Sequence, residues 1–200
     1  VAIDMPMTVE AVALYLGVLK LGAYVIGIAD SFAAQEISSR LRIGNAKLIF
    51  TQAMILREGK SLPLYEKVLA AGNIPPAVVL PAGEQVSISL RNGDLTWNEF
   101  LLKKSKFTVK FSTVMCEPED LTQVLFSSGT TGDPKAIPWT GLTPLKCAMD
   151  AYFYHDIPPK DVIAWPTSLG WMMGPWLIYA ALINRATIAL YYGLPHSRGF

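Results

Sequence analysis

Cysteine is nearly absent from this chain: Cys116 and Cys147 are the only two in 200 residues. Thiols so placed make neither a disulfide framework nor a metal-ligand spacing, and they suit a reducing compartment as ordinary structural residues. Histidine is as scarce, with His155 and His196 alone. Neither has a partner at a diagnostic spacing, so both are read as surface or loop residues, not catalytic ones. Charge is low too, at 16% charged residues and a net charge of +1. That leaves no electrostatic case for a nucleic-acid partner, and no long charge run suggests a membrane surface or an acidic tail. No basic lead precedes an apolar stretch, so no signal peptide is read. No internal repeat or low-complexity tract occurs.

What remains is apolar. Hydrophobic residues make up 52% of the chain, enough for a sizeable core in one large domain or two small ones. Segments 11–29 and 171–192 resemble membrane spans in hydropathy. Yet the first carries Lys20 and directly follows Glu10, and the second holds Asn184 and Arg185 near its middle, where charge is costly in a bilayer. Each reads as a buried helix followed by a strand. The chain begins inside one strand, "VAIDMP", and breaks off just after another. It is therefore expected to be a piece of a longer chain, cut at both ends.

Strands and helices alternate. Residues 1–5 are a short buried strand. Thr8 suits a helix N-cap, with Glu10 near the positive end of the helix dipole, and Gly22 suits its stop. "AYVIGIAD" is a continuous, β-branched apolar run, hence a buried strand. "SFAAQEISSRLRIGN" reads as a helix and "AKLIFTQ" as a strand. This order implies an α/β fold, with a parallel sheet, right-handed crossovers and helices on both faces. The middle is weaker: a helix within 57–71, a short strand at "PAVVLP", and a short helix at "LTWNEFLLKK". A boundary near "EPED" divides 1–110, a first α/β subdomain, from 111–200, a phosphate-loop subdomain, both incomplete. Beyond it come a strand at "LTQVLFSSG" and an extended piece at "AIPWT". A helix follows from Thr143 and Pro144, with Leu145, Ala148, Met149, Tyr152 and Phe153 on one apolar face. "DVIAWPT" is a strand, "GWMMGPWLIYAALINRA" an apolar helix, and "TIALYYG" a strand. Trp165 and Trp176 are expected in the core.

One stretch, "FSSGTTGDPKAIPWT" at 126–140, carries chemistry. Glycines let backbone N–H groups converge without a Cβ in the way. Serine and threonine hydroxyls add donors, and Lys135 adds a positive charge, a combination that suits a polyphosphate. It is not a Walker loop, which needs Lys directly after Gly and a helix opening there. Here Asp133 and Pro134 intervene and an extended segment follows, so a glycine-rich turn between strands is expected. That also argues against a P-loop NTPase or kinase.

The string Ser127, Ser128, Gly129, Thr130, Thr131, Gly132, Pro134, Lys135 resembles the phosphate-loop signature of the adenylate-forming superfamily: acyl-CoA synthetases, peptide-synthetase adenylation domains and luciferases. The resemblance covers most of the chain. "PTSLGWMMGPWLIYAALINRATIALYYG" is similar to a segment of acetyl-CoA synthetase-like members where Gly-Trp introduces a helix beside the acyl pocket. "FSSGTTGDPKAIPWT" and "LTPLKCAMDAYFYHDI" most closely resemble plant acyl-activating enzymes of the subgroup regarded as peroxisomal.

The resemblance implies part of the large N-terminal domain of an AMP-forming acid–thiol ligase. Such an enzyme joins a small-molecule carboxylic acid to the α-phosphate of ATP with Mg2+, then passes the acyl group to coenzyme A. It implies that Ser127, Ser128, Gly129, Thr130, Thr131 and Gly132 cradle the phosphates, that Lys135 steadies the phosphates or the loop, and that Trp171, Met172 and Met173 wall the acyl pocket. No role falls to Asp133, no residue is read as a metal ligand, and the compartment implied is the peroxisome. Departures are visible. Thr140 and Gly141 follow Trp139 where many relatives place His, and Ser168 and Pro175 replace the Asp and His common in acetyl-CoA synthetases, so the pocket is expected to differ from an acetate pocket. The adenine-, ribose- and hinge-bearing segments and the small C-terminal domain are expected beyond residue 200, so these residues alone do not complete the reaction. A non-catalytic nucleotide-binding or scaffold module with the same fold stays open as the alternative.

Overall fold

The computed structural model describes residues 1–57, 59–82, 88–104, 112–127 and 132–191. In chain order the elements are strand β1 (Ala2–Asp4), helix α1 (Val9–Lys20), β2 (Val25–Ile28), α2 (Ala34–Ile43), β3 (Ile49–Gln52), β4 (Ile55–Arg57), β5 (Lys60–Leu62), α3 (Leu64–Ala70), β6 (Ala77–Leu80), β7 (Leu95–Thr96), α4 (Trp97–Lys104), β8 (Leu121–Ser127), β9 (Lys135–Thr140), α5 (Thr143–Tyr154), β10 (Val162–Ala164), α6 (Met173–Ile183) and β11 (Thr187–Ala189).

The parallel sheet expected from the sequence is there. Seven strands run in the order β7-β6-β3-β1-β2-β8-β9. All neighbours from β7 to β8 pair in parallel, and β9 closes the edge antiparallel to β8. β8 and β9, which lie beyond residue 110, extend the same sheet as β1. β10 and β11 form a separate parallel pair.

Central strands covered on both faces read as unbroken apolar runs. Ala2 joins Ile26, Ile37, Ile49 and Val68 on the face covered by α2 and α3. Its neighbour Ile3 joins Tyr15, Leu177 and Ile178 on the face covered by α1 and α6. Local chemistry sets the helix ends. Thr8 accepts the Ala11 N–H at 3.2 Å, capping α1. Glu36 accepts the Ala33 N–H at 3.1 Å, opening α2. α6 is apolar all round because it is buried twice: Leu177, Ile178 and Tyr179 meet the sheet, while Ala180 and Ala181 meet α5. Asn184 ends α6 by donating to the carbonyls of Ala148 and Ala180, each at 2.9 Å. No helix among the described residues is long and apolar enough to cross a membrane.

One sequence expectation is refined and one needs correction. The helix expected within 57–71 is α3, which starts only after Pro63; the antiparallel hairpin of β4 and β5 before it was not expected. Gly59, at φ +74°, belongs to that turn. The apolar face read on α5 is also turned outward. Leu145, Met149, Tyr152 and Phe153 are 56%, 54%, 52% and 69% exposed. The helix buries Cys147, Ala148 and Ala151 instead, since the small Ala180 and Ala181 of α6 admit small partners at a close crossing.

Asp4 stands apart in the core. It is fully buried, and neither carboxylate oxygen has a hydrogen-bond partner among the described residues. It pairs in register with Thr51, whose Oγ1 is likewise unpartnered. Burial pushes the Asp4 carboxyl up to about 8, with Lys67 opposing the rise and Asp30 adding to it. An unfolded aspartate titrates near ~4. Between those values the folded chain holds the extra proton, so Asp4 costs stability increasingly as pH rises from about 4 to about 8. The slope is at most ~1.4 kcal/mol per pH unit. Asp4→Asn is therefore expected to raise the melting temperature, and by more at pH 8 than at pH 5. Equal shifts in thermal denaturation at the two pH values would show that Asp4 does not titrate in this window.

Candidate functional site

β1 and β2 end side by side at the carboxyl edge of the sheet, and the chain leaves them in opposite directions. The segment after β1 leads to α1 on one face, while the segment after β2 leads to α2 on the other. A crevice opens where the two part, which is where open α/β sheets take their ligands. A pocket of about 550 Å³ occupies it. Met7 lines it after β1, Asp30 after β2, and Ser168, Trp171, Met172 and Met173 from the segment entering α6.

The three residues chosen from the sequence as pocket wall are thus brought together. Trp171 meets the Phe32 ring edge-on, at 5.3 Å between centroids. Trp165, expected in the core, is 45% exposed and lines the same pocket. Trp176 is partly buried beside it, packed edge-on by His155 at 5.2 Å.

Sequence reasoning passed over the polar end of the pocket. Arg57, at the end of β4, donates to Asp30 Oδ2 at 2.8 Å. Lys67 on α3 donates to the Asp30 carbonyl. The available signal was an acid directly after the apolar run of β2, at a strand's carboxyl end. Ser168 Oγ is buried and has no partner among the described residues. Among the described residues no group of three His, Cys, Asp or Glu could hold a metal ion.

The second compartment sits on the next strand. β8 lies beside β2 in parallel, with Val25 opposite Gln123, so both strands deliver their following segments to one edge. β8 and β9 form a hairpin that places Ser127 opposite Lys135. An extended strand, not a helix, follows the loop string, as expected. Ser128, Gly129, Thr130 and Thr131 lie outside the described residues. Gly132 has φ +141°, a conformation that favours glycine. Lys135 is exposed at the base of the hairpin, without an ion-pair partner among the described residues.

A groove of about 360 Å³ separates the far side of this loop, Gly132 to Pro134, from α2. Arg40 lines it, 5% exposed, its guanidinium 3.9 Å from the Phe32 ring centre. Burial lowers the Arg40 pKa and neighbouring Glu36 opposes that. Asp133, given no role from sequence, is held by Arg42 at 2.6 Å. Both side chains are exposed, so the pair contributes at most ~1 kcal/mol; it ties the loop to α2.

Close packing fixes the pocket wall. A Cβ on Gly27 would stand 2.0 Å from the Leu169 carbonyl oxygen, and one on Gly170 would stand 2.1 Å from the Ala29 nitrogen. The obstacles are backbone atoms, which cannot swing aside as a side-chain end can. Gly27→Ala is expected to push the 165–172 segment off β2 and destabilise the fold by about 1–3 kcal/mol, as overpacking does. Chemical denaturation measures it, and a change below ~0.5 kcal/mol would mean the segment yields freely.

Comparison with known proteins follows the geometry. The AMP-binding enzyme family matches residues 1–198. A hexanoyl-CoA synthase of Cannabis sativa is 53% identical over 202 residues, covering 100% of this chain and 28% of its own. A probable peroxisomal acyl-activating enzyme 17 of Arabidopsis thaliana is 51% identical over 197 residues, covering 98% of this chain and 27% of its own. The solved acetoacetyl-CoA synthetase of Streptomyces lividans superposes with a TM-score of 0.83 at 25% identity, over 98% of this chain and 30% of that one. The chain thus spans under a third of the length of these relatives. With nearly every residue matched, the chain belongs to the AMP-binding enzyme family.

Proposed function

We propose that the whole protein is an ATP-dependent acid–thiol ligase, and that these residues form its phosphate loop and the wall of its acid pocket. The observation that carries this reading is the meeting of two compartments at one sheet edge: a hydroxyl- and glycine-rich hairpin on β8, and a crevice between β1 and β2 walled by Trp171, Met172 and Met173. A carboxylate oxygen attacks the α-phosphorus of ATP, the bond to the β-phosphate oxygen breaks, and pyrophosphate leaves. The thiol sulfur of coenzyme A then attacks the acyl carbon, the bond from that carbon to the phosphate oxygen breaks, and AMP leaves as the thioester forms. The first step crowds negative charge at phosphorus, and fixed donors and cations lower its barrier.

Ser127, Ser128, Gly129, Thr130, Thr131 and Gly132 cradle the β- and γ-phosphates in this reading, and Lys135 steadies them from the hairpin base. Mg2+ enters with the nucleotide and neutralises phosphate charge. Trp171, Met172 and Met173 set the length of the acid. Methionine is unbranched and adaptable, so it packs along a straight alkyl chain. A medium-length acid fits, in keeping with the relative named for hexanoyl-CoA. The peroxisome is the compartment proposed, from the plant relatives named for it. A scaffold that kept the fold without the chemistry is the second reading; the retained loop string disfavours it.

The test is pyrophosphate release by the full-length protein with Mg-ATP across straight-chain acids. Acid-dependent release is expected, falling by about 100-fold or more in Thr131→Ala, in line with loss of a transition-state donor. Lys135→Ala is expected to fall by roughly tenfold or more. Folded protein that binds ATP but releases no pyrophosphate with any of the acids would favour the scaffold. Met172→Trp is expected to shift preference toward shorter acids by about tenfold or more in kcat/KM; an unchanged profile would remove Met172 from the pocket wall.

A further inference from the structure

Strand β8 is apolar through its centre, yet it buries a glutamine. Gln123 is fully buried, paired with Val25 on one side and Trp139 on the other. A buried amide needs partners, and this one has two, one of them backed by a further hydroxyl. Tyr15 of α1 donates its hydroxyl proton to Gln123 Oε1 at 2.6 Å. With that proton committed, Tyr179 of α6 is the donor to the Tyr15 oxygen, at 2.7 Å. Gln123 Nε2 then donates to the Leu169 carbonyl at 3.3 Å. The Leu169 carbonyl also settles the amide's orientation, because a flipped amide would set two acceptors against each other.

The two ends of this tie matter for function. Gln123 sits four positions before Ser127, where β8 runs into the phosphate loop. Leu169 sits two positions before Trp171, where the pocket wall begins, and its carbonyl is the atom that Gly27 lets approach β2. We propose that Gln123 is a positioning residue for adenylation: it locks the Leu169 carbonyl, and with it the Trp171–Met173 wall, to the strand that carries the phosphate loop. The separation between the bound acid and the α-phosphate of ATP is thereby fixed. This rests on the ligase reading for its catalytic half. Its structural half stands on the hydrogen bonds alone.

β8 is held by ladders on both sides, whereas segment 165–172 has no ladder and is held by turns, by its packing on β2 and by this amide, its tie to β8. Losing the amide therefore moves the wall and leaves the strand. The effect falls on the acid, not on ATP.

The experiment uses the full-length protein with Gln123→Met, which keeps the volume and removes both hydrogen bonds, and Tyr15→Phe, which leaves the bond to Leu169 intact. Gln123→Glu is a further variant should the methionine variant not fold: it keeps the acceptor for Tyr15 and loses the donor to Leu169 unless protonated. Amide hydrogen exchange over 165–172 is expected to quicken about fivefold or more in Gln123→Met relative to wild type, with 121–127 unchanged. In Gln123→Glu it returns toward the wild-type rate at the same pH as the pH is lowered. Acid-dependent kcat/KM is expected to fall by roughly tenfold or more, with KM for ATP within about twofold. Tyr15→Phe lowers the melting temperature without either change. Unchanged exchange at 165–172, or equal rises in both KM values, overturns the proposal. If wild-type protein releases no pyrophosphate with any acid, the ligase reading fails separately, and the exchange measurement still decides whether Gln123 holds the wall.

Discussion

β1 lies between β2 and β3, and right-handed crossovers to either side of it must leave the sheet on opposite faces. That handedness arises from the chirality of the backbone and cannot be bargained away by side chains. It puts α1 on one face and α2 on the other, so the carboxyl ends of β1 and β2 have nothing above them. The pocket is the space left over. β8 then adds beside β2 and sets its loop at the same edge. Pocket and loop are neighbours because of strand order, not because of any contact between them.

The remaining wall is brought in from the far end of the chain. Segment 165–172 lies on β2 at a distance that only glycine permits, at Gly27 and Gly170. α6 follows it and is anchored by the burial of Leu177 to Ala181 between the sheet and α5. Trp171 and Met172 stay exposed at the pocket while Leu177 and Ile178, one to two turns later, are fully buried. One helix thus supplies both an anchor and a working surface.

Buried polar groups divide by location. Away from the carboxyl edge they are satisfied: Asp94 accepts from Tyr65, Arg91 and the Ala77 N–H, and Gln123 bridges α1 to the Leu169 carbonyl. At that edge Asp4, Thr51 and Ser168 hold buried oxygens without partners among the described residues. An interior that satisfies its polar groups elsewhere tolerates this where a site has been built, and each such group adds cost to the fold.

Apolar runs, caps and the Ser127–Lys135 string were legible because they are local. Unbroken apolar runs make β1, β2 and β3 read as strands, Thr8 caps by its own reach, and Asp133 and Pro134 between Gly132 and Lys135 break the Walker pattern. The outward face of α5 was not legible. Leu145, Met149, Tyr152 and Phe153 have the spacing of a buried stripe, but which face is covered depends on the neighbour, and the face that α5 buries carries Cys147, Ala148 and Ala151, the last against Ala180 and Ala181 of α6. The ion pair of Arg57 with Asp30, and the tie from Gln123 to Leu169, join residues 27 and 46 apart. Sequence alone determined most of the strand–helix order, though not the β4–β5 hairpin, and the residue types of the loop, since periodicity and backbone preference act within a few residues. Only the tertiary structure decided what stands opposite what, because hydrogen bonds and close packing are set by distance in space, which no local pattern encodes.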